Sequence, residues 1–241
     1  MKLTAQQVYD KLINIDKIKT LEGQIRFFLG DVDIVVKQRD VVGNIIQEWL
    51  EGWLKKNGID YAPNPNSQMP PDVFLDPDDK THNLMEVKAF NRSATPGFDI
   101  ADFKSYINEI IDKPYMLHSQ YLIFGYQMSE EGIVTIKDLW LQNIWEITRS
   151  SKQWAINVQY KNKMIQKIRP CVWYSKKDTK FPNFKTLEHY LSAIEETIYS
   201  YAETRQNAKG WKEKMEKSYK AFYGKEIRIP RWMDIEKEYH K

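Results

Sequence analysis

The chain has 241 residues, 42% apolar and 13% aromatic, with one cysteine and a formal net charge of +3. These figures exclude a disordered chain, a disulfide framework and a thiolate zinc site, and they allow a sizeable core. No apolar run approaches membrane-spanning length and the amino terminus lacks an apolar leader, so a soluble cytoplasmic protein with no membrane partner is expected.

In chain order, Thr4 and Gln7 form a capping-box signature that opens a helix through AQQVYDKLIN. IRFFL and VDIVVK flank Gly30-Asp31 and predict a hairpin. In VVGNIIQEWLEGWLKKNG, the residues Val42, Ile45, Ile46, Trp49, Leu50, Trp53 and Leu54 recur at helical spacing, with Glu48 on the border of the stripe and Gly58 as the stop. A Pro/Asn-rich connection then leads to a short strand DVFL, a polar turn DPDDKTHN and a strand LMEVKAF. The spacing next predicts a helix over FDIADFKSYINEII and two strands, YLIFGYQ and GIVTIKDLWL. Two amphipathic stretches, LEHYLSAIEETIYSYA and WKEKMEKSYKAF, close the chain.

Charge is unevenly spread. Residues 1–150 carry 16 Lys+Arg against 22 Asp+Glu, and residues 151–241 carry 20 against 11. Within 151–187, nine basic residues interleave with Trp154, Tyr160, Trp173, Tyr174, Phe181 and Phe184, a pattern suited to a polyanion with phosphates and flat bases. A solvated face over core aromatics explains the same pattern equally well.

No two glycines stand two apart and no Gly-Lys-Ser/Thr loop occurs, so no nucleotide cofactor is expected. The four histidines lack metal-ligand spacing, and Cys171 reads as a core thiol.

The unusual stretch is PPDVFLDPDDKTHNLMEVKAF, which sets charge inside segments that otherwise read as buried strands. Asp72 heads one strand, and Glu86 and Lys88 lie two apart on the next, so their side chains share a face. Buried charges are tolerated when paired or holding a metal. Two carboxylates converging at a sheet edge offer hard oxygen ligands suited to Mg²⁺ with a substrate phosphate, and Lys88 would orient an attacking water. Asp78-Asp79-Lys80 and Asp178-Thr179-Lys180 repeat the pattern, but in polar, turn-like sequence.

Pro71-Asp72 followed by Glu86-Val87-Lys88 resembles the signature of the PD-(D/E)xK nuclease superfamily. The resemblance spans residues 41 to 127 and implies an α/β fold: a central mixed β-sheet flanked by helices, with a restriction-endonuclease-like αβββαβ core and a basic, largely helical C-terminal part. It implies that Asp72, Glu86 and the Val87 carbonyl bind Mg²⁺, that Lys88 assists the water, and that Glu48 matches an auxiliary helix carboxylate. Size and the basic, aromatic carboxyl-terminal part are similar to type II restriction endonucleases, which as homodimers cut both strands of double-stranded DNA. EVKAFNRSATPGFDIADF and YLIFGYQM resemble the NgoBV/NlaIV group, which implies a GGNNCC-type site and a bacterial cytoplasmic setting.

The expected division is a nuclease core over 1–150, with the N-terminal helix and hairpin, and a basic DNA-recognition and dimerisation part over 151–241 packed with that core as one domain. Candidate DNA contacts are Asn91, Arg92, Lys161, Asn162, Lys163, Gln166, Lys167, Arg169, Lys176 and Lys177. A repair or junction-resolving nuclease is an alternative; so is a non-catalytic DNA-binding protein on the same fold.

Overall fold

The computed structural model describes residues 1–66, 69–175 and 180–240. They form two compact units: Met1–Phe98 with Gln120–Gln142, and Asp99–Ser119 with the chain from Asn143 onward. This division follows packing and differs from the charge-based boundary at residue 150. It separates charge all the same, with 13 Lys+Arg against 17 Asp+Glu in the sequence of the first unit and 23 against 16 in the second.

The first unit opens with α1 (Ala5–Asp10), where Thr4 and Gln7 cap reciprocally as expected, and then β1 (Glu22–Gln24), β2 (Arg26–Leu29) and β3 (Val32–Val35). The helix α2 (Val42–Lys56) buries Val42, Ile46, Leu50, Trp53 and Leu54. It stops at Gly58, whose positive φ lets the Gly58 and Ile59 amides reach back to the Lys55 and Leu54 carbonyls. Next come β4 (Ala62–Pro63), β5 (Val73–Phe74) and β6 (Leu84–Asn91). The chain enters the second unit as β7 (Ala101–Asp102) and α3 (Phe103–Asp112), then returns as β8 (Gln120–Met128) and β9 (Ile133–Gln142).

The first unit's main sheet has the order β1-β9-β8-β6-β5-β4. Its pairs are antiparallel except β6 with β8, which makes the sheet mixed. The order α2, β4, β5, β6, β7, α3, β8 is the expected αβββαβ succession apart from the two-residue β7, which pairs with β11 in the second unit. Leu50 and Leu54 of α2 share one core with Met85, Val87, Leu122 and Phe124 of the sheet. Side chains alternate along β6, so Glu86 and Lys88 project from the opposite face.

In the second unit β10 (Val158–Lys161) and β11 (Met164–Ile168) form a hairpin extended by β7. The helices α4 (Leu187–Ser200), α5 (Trp211–Tyr223) and α6 (Trp232–Ile235) follow. The Trp211 indole donates to the Ile107 carbonyl at 2.8 Å and docks α5 on α3. Cys171 is buried, which pushes its thiol up to about 12.

Two expectations are corrected. The helix expected from Phe98 begins at Phe103, because Ile100 to Asp102 is extended and pairs with β11 before Asp102 caps the helix. In the carboxyl-terminal part the longer helices start at Leu187; among the described residues from 151 to 186 the chain is the β10–β11 hairpin and irregular segments rather than helix.

Candidate active site

Strand pairing brings Asp72 and Glu86 together. The β5–β6 register runs Phe74 opposite Leu84 and Val73 opposite Met85, so one further step sets Asp72 across from Glu86, on the same face. The Asp72 carboxylate accepts the Val87 amide at 2.8 Å. In an extended strand a residue's N–H and C=O project to one edge, which turns the Val87 carbonyl to the Asp72 side.

Sequence reasoning missed the residue that fixes the Asp72 backbone. Asn64 donates its amide N–H to the Asp72 carbonyl at 3.0 Å. Its side chain donates to the Pro71 carbonyl at 2.8 Å and the Met69 carbonyl at 3.0 Å. Asparagine in a Pro/Asn-rich connection is a turn signal, which marks a loop but not what the loop holds.

Glu86 is 3% exposed. One carboxylate oxygen, Oε1, accepts from Lys88 Nζ at 2.7 Å, and the other, Oε2, is buried with no hydrogen-bond donor. Burial pushes the Glu86 carboxyl up to about 7, a rise opposed by the Lys88 ammonium and the Asp72 backbone amide and reinforced by the Asp72 carboxylate. Asp72 is also raised by burial, against the pull of Lys88 and the Val87 amide. A divalent cation with hard-ligand preference fits this donor set. Two carboxylates and a carbonyl supply oxygen, and a buried acceptor without a donor is a position a cation satisfies. Among the described residues no three His, Cys, Asp or Glu side chains gather as a metal cluster, so the set rests on Asp72, Glu86 and the backbone.

Glu48 lies exposed on α2. Its neighbour Glu51 is half-buried and has its carboxyl raised by that burial, by Glu48 and by Asp72. Glu51 is therefore the helix carboxylate whose charge reaches Asp72. Both residues border the α2 stripe, and only packing decides which one leans toward the sheet.

The expected DNA contacts fall into three groups. Asn91 ends β6 and Arg92 follows it; the Asn91 side chain accepts the Ser93 amide and Arg92 donates to Asp138 at 2.7 Å. The Arg92 guanidinium also lies 5.3 Å from the Trp140 ring centre and 5.7 Å from that of Phe90. A Cβ on Gly125 would stand 2.5 Å from the Arg92 side chain, so glycine there makes room for it. Lys167 and Arg169 pair with Asp102 and Asp99, and Gln166 lies half-buried between them and the turn. Lys161, Asn162 and Lys163 form the exposed tip of the β10–β11 hairpin. Lys176 and Lys177 lie outside the described residues, as do Asp178 and Thr179.

A mixed sheet carrying Asp72, Glu86 and Lys88 at one strand edge is the architecture of a PD-(D/E)xK nuclease. The model of the NgoBV restriction endonuclease family matches residues 2–239. The type II restriction enzyme NlaIV of Neisseria lactamica is 59% identical over 241 residues, covering all of this chain and 99% of that protein. NgoBV of Neisseria gonorrhoeae is 58% identical over 161 residues, covering 67% of this chain and 91% of its own. A solved structure of the NlaIV restriction endonuclease superposes with a TM-score of 0.97 over 100% of this chain and 98% of that one. The chain belongs to the NgoBV restriction endonuclease family and is a type II restriction enzyme, a site-specific deoxyribonuclease.

Proposed function

We propose that this enzyme hydrolyses both strands of duplex DNA at a GGNNCC-type site in a Mg²⁺-dependent reaction, acting as a homodimer in the bacterial cytoplasm. The observation that carries the chemistry is the buried, donorless Glu86 oxygen beside Asp72 and Lys88. Asp72, Glu86 and the Val87 carbonyl would hold Mg²⁺, which when bound polarises the phosphodiester and lowers the pKa of a coordinated water.

The chain's own residues do the rest. Lys88, donating to Glu86, positions the attacking water and offsets the charge gathered at the site. The water attacks phosphorus in line, and the bond from phosphorus to the leaving strand breaks. Asn64 holds the Asp72 backbone in register with β6. Glu51, with Glu48 beside it, is an auxiliary carboxylate at the site's margin.

DNA contact is proposed for the basic hairpin tip. Asn162 and Lys163 both take positive φ, 54° and 61°, in a two-residue turn. Glycine is the usual second residue of such a turn, and a lysine there costs about 1 kcal/mol. A local rule broken at an exposed cationic tip is expected where charge has a use. Lys161 and Lys163 would neutralise phosphates, and Asn162 would reach a base edge.

Digestion of a phage genome with Mg²⁺, followed by sequencing of the ends, tests this reading. It predicts discrete fragments that share one six-base-pair symmetric site. Ends without a common sequence, or intact DNA, would contradict it.

A further inference from the structure

The β2–β3 hairpin has a composition that the nuclease reading leaves unused. Its register pairs Phe27 with Ile34 and Leu29 with Val32, and directly opposite residues share a face. That face therefore consists of four large apolar side chains, with exposures of 54% for Phe27, 71% for Leu29, 62% for Val32 and 50% for Ile34. The other face is partly polar. It carries the Arg26–Asp33 ion pair, Arg26 over the Phe28 ring, and Val35, whose methyl lies 2.6 Å from where a Gly132 Cβ would stand. Among the described residues the ribbon has only its two strands, and such a ribbon is marginal alone in water.

We propose that this apolar face is the surface on which a second copy of the chain docks. Charge argues against DNA as the occupant, since residues 26–35 carry one arginine against Asp31 and Asp33. The same unit presents apolar surface for the reciprocal contact. Leu21, Ile45 and Trp49, 49%, 40% and 41% exposed, rim a groove of about 220 Å³ floored by Ile18, Ile46 and Phe124.

Area points the same way. The four hairpin side chains expose on the order of 400 Å² of apolar surface, within the ~300–600 Å² of a monomer's largest patch, which is often functional. Two such patches, roughly 800 Å², fall short of the ~1,200–2,000 Å² buried in a stable interface, and covering the groove on each copy brings the total closer to that range. A two-fold contact uses the same patch twice and requires a self-complementary surface, which an apolar ridge and an apolar groove on one unit supply. The inference rests in part on the double-strand cleavage proposed above, since each chain supplies one candidate site. It moves the dimer contact from 151–241, where sequence put it, to residues 26–35 and their surroundings.

Sedimentation of the full chain without DNA or metal tests the surface independently of cleavage. The native chain should be a dimer at micromolar concentration, and Phe27→Thr/Leu29→Thr/Val32→Thr/Ile34→Thr should raise its dissociation constant ~100-fold or more. A native monomer, or a folded variant that dimerises as tightly as the native chain, would overturn the proposal. Should the fourfold variant fail to fold, a photo-crosslinking residue at Leu29 decides the matter. A covalent dimer supports the surface, and monomer alone after irradiation refutes it. Chains that dimerise normally yet fail to cut DNA would count against the nuclease reading and leave this one standing.

Discussion

Two hairpins of this protein share a plan and differ in content. Both close with a two-residue loop, between Leu29 and Val32 in one and between Lys161 and Met164 in the other. The first, β2–β3, is among the described residues a two-stranded ribbon with an apolar face and an acidic balance. The second, β10–β11, is supported by β7 and tipped with Lys161, Asn162 and Lys163. Backbone geometry fixes where a hairpin points, and side-chain chemistry selects what it meets. Apolar surface favours a protein partner, whereas lysines at a tip favour phosphate. Neither hairpin carries the proposed reacting groups, which sit at the β5–β6 edge of the first unit.

Changes at that edge should therefore leave both hairpins intact and make the largest difference to stability. The folded-state pKa of Glu86, about 7, lies above the ordinary value of 4.5, so the folded chain holds this proton more tightly than the unfolded one. That stabilisation is complete below 4.5 and is lost as pH rises through 7. Metal-free protein should lose on the order of 2–3 kcal/mol between pH 5 and pH 8 from this group. Glu86→Gln should flatten the dependence in thermal melts. Equal slopes for the two chains would contradict the assignment.

The hairpins themselves should separate in salt. Lys161→Ala and Lys163→Ala should each lower the slope of log affinity against log salt by about 1 in DNA-binding titrations, while Arg26→Ala should leave it unchanged. A lower slope for Arg26→Ala would erase the distinction between the hairpins. The smallest effect is expected for Lys163→Gly, which should raise stability by about 0.5–1 kcal/mol by relieving the positive φ, and should weaken DNA binding. Loss of stability in that variant would show that Lys163 is held by the fold rather than kept for its charge.

Much of the site was legible in the sequence because local rules set it. Period two in LMEVKAF put Glu86 and Lys88 on one face, and Pro71-Asp72 marked the neighbouring strand. Helical spacing located α2, although Ile45 and Trp49 of its predicted stripe stay 40% and 41% exposed at the proposed dimer groove. What local rules could not show depends on distant partners. The strand β7 exists because β11, some 65 residues later, pairs with it, and that pairing delays the start of α3. The β10–β11 hairpin escaped notice because its turn lacks glycine. Glu51 and Asn64 were missed for a third reason: each acts through a tertiary approach to Asp72 that neither periodicity nor motif records.

The central claim is that Asp72, Glu86 and Lys88 form one reaction site distinct from the surfaces that bind DNA and the second copy. Asp72→Ala and Lys88→Ala, assayed side by side for duplex binding and for Mg²⁺-dependent cleavage of one plasmid, test it most directly. The account predicts binding within a few-fold of the native chain and cleavage reduced ~10³-fold or more in both variants. Cleavage at the native rate by either variant would contradict it.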